Sequence, residues 1–208
     1  MTTSRTAELK TGEEVRAHYD APHEVALRKE MTRLDRHCRA FIAAAPFVVI
    51  ATADAQGRAD ASPRGDAPGF VAVRDETTIL IPDRRGNNRV DTMMNIAENP
   101  HVGLLFMVPG MNETLRVNGR ALITIDRQLL APLAAQGKTP QAAIMVTVEE
   151  VYFQCGKALV RADLWNPDRR IARRSLPSLG RILADEINLS YGPELEKAIE
   201  DDYRTGLY

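Results

Sequence analysis

The sequence predicts a mainly β protein with helical additions, folded as an antiparallel barrel. Two observations carry this. Short apolar runs of strand length follow one another from Phe47 to Phe153, with tight turn signals between them. Apolar residues at helical spacing are confined to the two ends of the chain and to short insertions.

Residues 1–11 are polar and read as a frayed end. Leu27, Met31, Leu34, Cys38, Phe41 and Ile42 recur at helical spacing, so one amphipathic helix is expected over 22–44. Asp20 before Pro22 is its start signal and Pro46 its stop. Phe47–Ala53 is a continuous apolar run, as expected of a strand buried on both sides. Asp54-Ala55-Gln56-Gly57 turns the chain, and Arg58–Ser62 returns as a second strand. Phe70–Arg74 and Thr77–Ile81 form a hairpin around Asp75-Glu76. Val102–Met107, Thr114–Ile125 and Ala142–Phe153 are three further strands, with Gly119 marking a bulge. Asp126 starts a short helix, Gln128–Ala135, that stops at Gly137. Lys157–Arg161 is a helical piece, and 168–208 is a helical segment containing Leu179–Ile187 and Pro193–Tyr203. Arg169, Arg170, Arg173 and Arg174 form a basic run, read as a solvated helix face.

Composition bounds the function. An apolar fraction of 44% over 208 residues supplies the core of a single domain, 1–208. A net charge of −1 gives no global basic character, so neither nucleic acid nor a membrane surface is an expected partner. No charged-then-apolar leader opens the chain and no apolar run approaches membrane-spanning length, so a cytoplasmic location is expected. Cys38 and Cys155 make no disulfide framework, and the scattered His18, His23, His37 and His101 have no metal-ligand spacing. No nucleophile elbow, Walker loop or dinucleotide fingerprint occurs, so no catalytic residue is assigned and no metal is expected.

The segment with the most chemical content is Gly86-Asn87-Asn88-Arg89-Val90-Asp91. It follows the apolar run Thr78–Pro82 and the charged turn Asp83-Arg84-Arg85, and it precedes a helical stretch ending at Glu98-Asn99-Pro100. A strand that enters such a loop and leaves as a helix gathers backbone N–H groups, a positive helix end and guanidinium groups. That combination suits a phosphate. A plainer reading makes Asn87 and Asn88 ordinary turn residues, and leaves one of Arg84 and Arg85 simply solvated.

Several segments in order carry a resemblance. They are Ala61-Ser62-Pro63-Arg64-Gly65-Asp66, Gly86-Asn87-Asn88-Arg89, Glu98-Asn99-Pro100-His101-Val102-Gly103, Leu115-Arg116-Val117-Asn118-Gly119-Arg120 and Val151-Tyr152-Phe153-Gln154. In this order they resemble the pyridoxamine 5′-phosphate oxidase-like flavoproteins, in a bacterial subfamily with Ser-Pro-Arg-Gly-Asp and Gly-Asn-Asn-Arg signatures. The resemblance spans 12–208. It implies an antiparallel split β-barrel, a homodimer, and FMN bound at the subunit interface. By that resemblance Ser62, Pro63, Arg64 and Gly65 flank the flavin, and Arg85, Asn87, Asn88 and Arg89 hold its phosphate and ribityl chain. Phe153, Gln154, Lys157 and Trp165 belong to the stretch that reaches the flavin from the other subunit. Arginine suits the phosphate because its forked donors are fixed and always charged. Pro63 and Gly65 suit close passage of backbone past a flat ring. Without the resemblance, Arg64 reads as a partner of Asp60 or Asp66, and Trp165 as a core or interface anchor.

The expected function is an FMN-dependent oxidoreductase acting on a small organic substrate. Lys157 and Arg161 leave room for an anionic one. Oxidation of pyridoxamine phosphate itself is not expected. The Arg-x-His that the true oxidases use is missing here, where the stretch reads Lys157-Ala158-Leu159-Val160-Arg161-Ala162-Asp163. The alternatives are a non-catalytic flavin carrier or sensor, and a deazaflavin-dependent reductase.

Overall fold

The computed structural model describes residues 8–172, 175–187 and 192–208. The chain falls into two compact units, Met1–Glu30 and Met31–Tyr208.

The first unit holds α1 (Gly12–His18) and α2 (Glu24–Arg28). Thr11 and Glu14 form a capping box at the start of α1: the Thr11 hydroxyl accepts from Glu14 N–H and the Glu14 carboxylate accepts from Thr11 N–H. Neither helix has a buried residue.

The single helix expected over 22–44 is two helices. After α2 the chain is non-helical until α3 (Arg36–Ala44), and the start lies at His23, not Asp20. The cause is a new cap together with long-range pairing. Asp35 accepts from Cys38 N–H at 2.8 Å and so caps a new helix. Met31 meanwhile bridges to Val151, with N–H···O distances of 3.0 and 2.7 Å, and Leu34 N–H donates to Glu76 O at 2.7 Å. The apolar periodicity from Leu34 to Ile42 is nevertheless functional packing. Leu34, Cys38, Phe41 and Ile42 are all buried in the core of their own chain.

The second unit is built on a seven-stranded antiparallel sheet of order β2-β1-β5-β6-β7-β4-β3. The strands are β1 (Phe47–Ala53), β2 (Ala59–Gly65), β3 (Ala72–Val73), β4 (Thr78–Pro82), β5 (His101–Met107), β6 (Thr114–Thr124) and β7 (Ala143–Gln154). With its helical additions this is the split-barrel architecture. The hairpin strand expected over Phe70–Arg74 shrinks to two residues, because Phe70 and Val71 turn their side chains into the core ahead of β3. At Asn118/Gly119 the β6–β7 register shifts, and a Cβ on Gly119 would stand 2.0 Å from the Thr147 carbonyl oxygen. This is the bulge the sequence marks.

β1 is buried on one face only. Val48, Ile50 and Thr52 point inward, while Phe47 and Ala51 are exposed and Val49 and Ala53 half-buried. The sheet curls about a single core, so only alternate residues of each strand reach it. The register carries this alternation across the sheet. Asp60, Ser62 and Arg64 of β2 share the inner face with Thr52, Ile50 and Val48; Ala61, Pro63 and Gly65 share the outer face with Ala51, Val49 and Phe47. The inner face packs Leu104, Phe106, Leu115, Val117, Val146 and Val151 under α3. Each such side chain contributes about 1.5–3 kcal/mol on burial. A smaller cluster of Leu80, Leu130, Leu133 and Ala143 lies under α5 (Arg127–Leu130) and a 3-10 turn, Ala131–Leu133. α4 (Asp91–Glu98) follows the Gly/Asn/Arg loop, and α6 (Lys157–Ala162) follows β7. α7 (Leu179–Ile187) and α8 (Pro193–Thr205) fall in the expected helical segment 168–208. Arg169 closes a 3-10 turn and Arg170 is exposed; Arg173 and Arg174 of the basic run lie outside the described residues. Among the described residues no helix is long and apolar enough to cross a membrane.

Candidate functional site

The structure gathers one set of the expected site residues at the loop between β4 and α4. Asp60 ties β2 to the start of α4: its Oδ2 accepts from the Ser62 hydroxyl and from the Thr92 hydroxyl, both at 3.3 Å. One turn further on, the Asn95 amide donates to Thr52 Oγ1 at 3.0 Å. The helix that opens from the loop is therefore fastened to β1 and β2 by polar side chains on their inner face.

The loop itself is held in an unusual backbone conformation. Asn88 has φ 60° and Val90 φ 51°. Asn tolerates the left-handed region, but a β-branched valine there is strained, and such strain clusters at ligand sites. Val90 is the residue that caps α4, and no side chain caps the helix in its place. Asn87 Oδ1 accepts from Arg89 N–H at 3.1 Å, and the Arg89 guanidinium donates to Asp91 at 2.8 Å. That last pair is exposed and worth little to stability. Arg85 is exposed, with no hydrogen-bond or ion-pair partner among the described residues.

Arg84 has the opposite role. Its Nε donates to Asp66 Oδ2 at 2.6 Å and its Nη1 to Leu133 O at 2.8 Å. Asp66 also accepts from the Tyr208 hydroxyl at 2.6 Å. Burial acts to raise the Asp66 carboxyl, but Tyr208, the Ala67 N–H and Arg84 together hold it below the usual carboxylate range. Asp83, next to Arg84, is pushed above that range by burial, with the Arg64 charge opposing. Arg64 also donates to Pro63 O at 2.8 Å. It pairs with neither Asp60 nor Asp66.

A second set of expected residues sits elsewhere. Pro63 and Gly65 lie on the outer face, away from Ser62 and Arg64. A Cβ on Gly65 would stand 3.4 Å from Pro46 O and 3.6 Å from the Phe47 ring. Phe47 in turn lines a wholly apolar pocket of about 320 Å³ with Met107, Pro109, Leu164 and Trp165. Trp165 is fixed there by its Nε1–H, which donates to Met111 O at 2.7 Å. Lys157 and Arg161 are exposed on α6, which leads into Leu164 and Trp165. Gln154 accepts from the Thr114 hydroxyl at 3.4 Å. Phe153 packs edge-on against Phe41 at 5.4 Å between ring centres, which is a core contact.

The two sets meet at one end of the β1–β2 hairpin. Asp66 N–H donates to Pro46 O at 3.1 Å, so the Arg84 anchor sits beside the residue that precedes Phe47. The sequence did not reveal the roles of Asp66, Arg84 and Tyr208, or of Phe47, Met107 and Leu164. These groups are joined only by long-range pairing. The family model for pyridoxamine 5′-phosphate oxidase matches residues 34–155.

This chain belongs to the pyridoxamine 5′-phosphate oxidase family. The matched span runs from the start of the core at Leu34 to the end of β7 and includes the whole sheet. Among solved structures the chain is similar to HupZ of Group A Streptococcus, with 20% identity over 58% of this chain and 94% of that one and a TM-score of 0.49. It is also similar to a putative pyridoxamine 5′-phosphate oxidase from Lactobacillus delbrueckii, with 22% identity over 59% and 95% of the two chains and a TM-score of 0.46. General Stress Protein 26 from Bacillus anthracis has 15% identity over 55% and 88%, with a TM-score of 0.44. No curated protein matches the chain.

Proposed function

We propose that this family member is an FMN-dependent oxidoreductase acting on a small organic substrate, and that it works as a homodimer. The observation that carries the cofactor is the 85–90 loop. It combines an Arg85 without a partner among the described residues, left-handed backbone at Asn88 and Val90, and a helix start without a side-chain cap, whose Thr92 is tied to β2 through Asp60. This donor set fits a phosphate dianion. Arg85 binds it directly, and Arg89 joins by exchanging its exposed contact with Asp91. Ser62 and Arg64 flank it from β2.

A flat aromatic system fits the outer side of the same hairpin end. Gly65 presents no side chain there, and the Phe47–Trp165 pocket presents no polar surface. Bound FMN supplies hydride acceptance and donation. The protein's residues exclude water and orient the substrate: Trp165 through its fixed ring, and Lys157 and Arg161 by attracting a negative group on the substrate.

The dimer is supported by the outer sheet face. Phe47, Val49, Leu105 and Met107 are partly exposed there, with Ala51, Ala61 and Pro63 between them. A second copy would cover this apolar surface.

The test is the absorption spectrum of protein purified without added cofactor, with heat release and identification of the chromophore, followed by anaerobic addition of electron donors. Flavin bands, released FMN and bleaching by a donor support the reading. Tight FMN that no donor reduces makes the protein a carrier or sensor. Weak FMN affinity with turnover of a deazaflavin replaces the cofactor.

A further inference from the structure

We propose that Tyr208 is a positioning residue for the phosphate loop, acting through Asp66 and Arg84 to fix the point from which residues 85–90 leave β4. The inference rests on the FMN reading for its ligand but stands on its own geometry. β4 ends at Pro82, and Asp83 N–H is still bonded, to Ala142 O at 3.0 Å. Arg84 then turns inward and is the last side chain before Asn87 with a fixed partner. Its partner Asp66 is 4% exposed and takes its second side-chain donor from Tyr208.

Tyr208 is engaged at three places. Its hydroxyl donates to Asp66, its ring lies 5.8 Å from the Arg84 guanidinium carbon, and its main-chain oxygen accepts from the Lys138 ammonium at 2.8 Å. The end of β2, the exit of β4, the 3-10 turn at Leu133 and the segment after α8 therefore converge on one ion pair. Without the Tyr208 hydroxyl, Asp66 keeps Arg84 and Ala67 N–H but loses a short donor in a desolvated place. Its carboxyl then takes up a proton more readily, and a protonated Asp66 holds Arg84 less firmly. The charged and titratable groups at this site are Asp66, Arg84 and Tyr208, with Lys138 on the Tyr208 main-chain oxygen; Asp83 adjoins Arg84 in sequence and has Arg64 as its opposing charge.

Two readouts on wild type, Tyr208→Phe and Tyr208→Ala test this. The first is tryptic cleavage of the cofactor-free protein at Arg85 and Arg89, with thermal unfolding as a control. Tyr208→Ala should be cut there about tenfold faster, and Tyr208→Phe about threefold faster, at a temperature where the unfolding control shows both variants folded. The second is titration with FMN and with riboflavin, followed by flavin fluorescence across the acid range. FMN binding should weaken by about the same factors, riboflavin binding should not change, and the acid limb of FMN binding in Tyr208→Phe should move to higher pH. Unchanged cleavage overturns the proposal, as does equal weakening of FMN and riboflavin. Wild-type protein that binds no FMN, with cleavage still accelerated in Tyr208→Ala, sinks the cofactor reading and leaves the positioning role standing.

Discussion

Asp66 and Arg84 form an ion pair at 2.6 Å whose side chains are only 4% and 17% exposed, whereas Arg85, one residue further on, reaches solvent with no partner among the described residues. Two adjacent arginines thus divide the work between holding the loop and presenting it. Breaking the buried pair leaves an uncompensated charge, so Arg84→Ala should cost about 3 kcal/mol of unfolding free energy. Arg85→Ala should cost less than about 0.5 kcal/mol, because the side chain is exposed. Urea unfolding of the two variants measures both. Equal losses would mean that the arginines are not divided in this way.

Acid should weaken the fold through Asp66. A carboxyl held below its ordinary value stabilises the protein above that value, and the contribution disappears as pH falls through the folded value. Asp83 has the opposite sign. Burial raises it, so the folded chain holds its proton more tightly than the unfolded chain, and ionising it costs stability as pH rises. Asp83→Asn should therefore be more stable than wild type at pH 7, with the advantage shrinking toward about pH 4. An Asn variant less stable than wild type at pH 7 would show that Asp83 is a net partner of Arg64.

At the bulge in β6, substitution should be severe. A Cβ at Gly119 would overlap the Thr147 carbonyl oxygen, and backbone cannot yield as a flexible side chain does. Gly119→Ala should lose more than about 3 kcal/mol, or fail to accumulate as folded protein. Thermal unfolding beside wild type decides this, and a melting point within a degree of wild type would contradict the register described here.

The two thiols should differ in reactivity. Cys38 is fully buried, and burial pushes its thiol up to about 12. Cys155 is exposed after β7. A thiol reagent at mildly alkaline pH should titrate one cysteine in native protein and both in denaturant. Two fast thiols in native protein would place α3 away from the core.

Much of this architecture is legible in the sequence where it depends on neighbours. Phe47–Ala53, the turn at Gly57, the loop at 86–91 and the helix it opens are all set by local apolar runs and turn residues. The errors come from longer range. Helical spacing from Leu27 to Ile42 was continuous, but Met31 is taken by Val151 and Asp35 restarts the helix. The signature Ser62-Pro63-Arg64-Gly65 reads as one binding stretch, yet the pleat sends Ser62 and Arg64 to the loop side and Pro63 and Gly65 to the outer face. The contact of Asp66 with Tyr208 spans nearly the whole barrel in sequence, and no local pattern signals it.

The central claim is that the 85–90 loop recognises a phosphate. The most direct measurement is the affinity of cofactor-free protein for FMN and for riboflavin, in wild type and in Arg85→Ala. The account predicts that wild type prefers FMN by about a hundredfold and that Arg85→Ala loses about tenfold of this preference while riboflavin affinity stays the same. Equal affinity of wild type for FMN and riboflavin would contradict it.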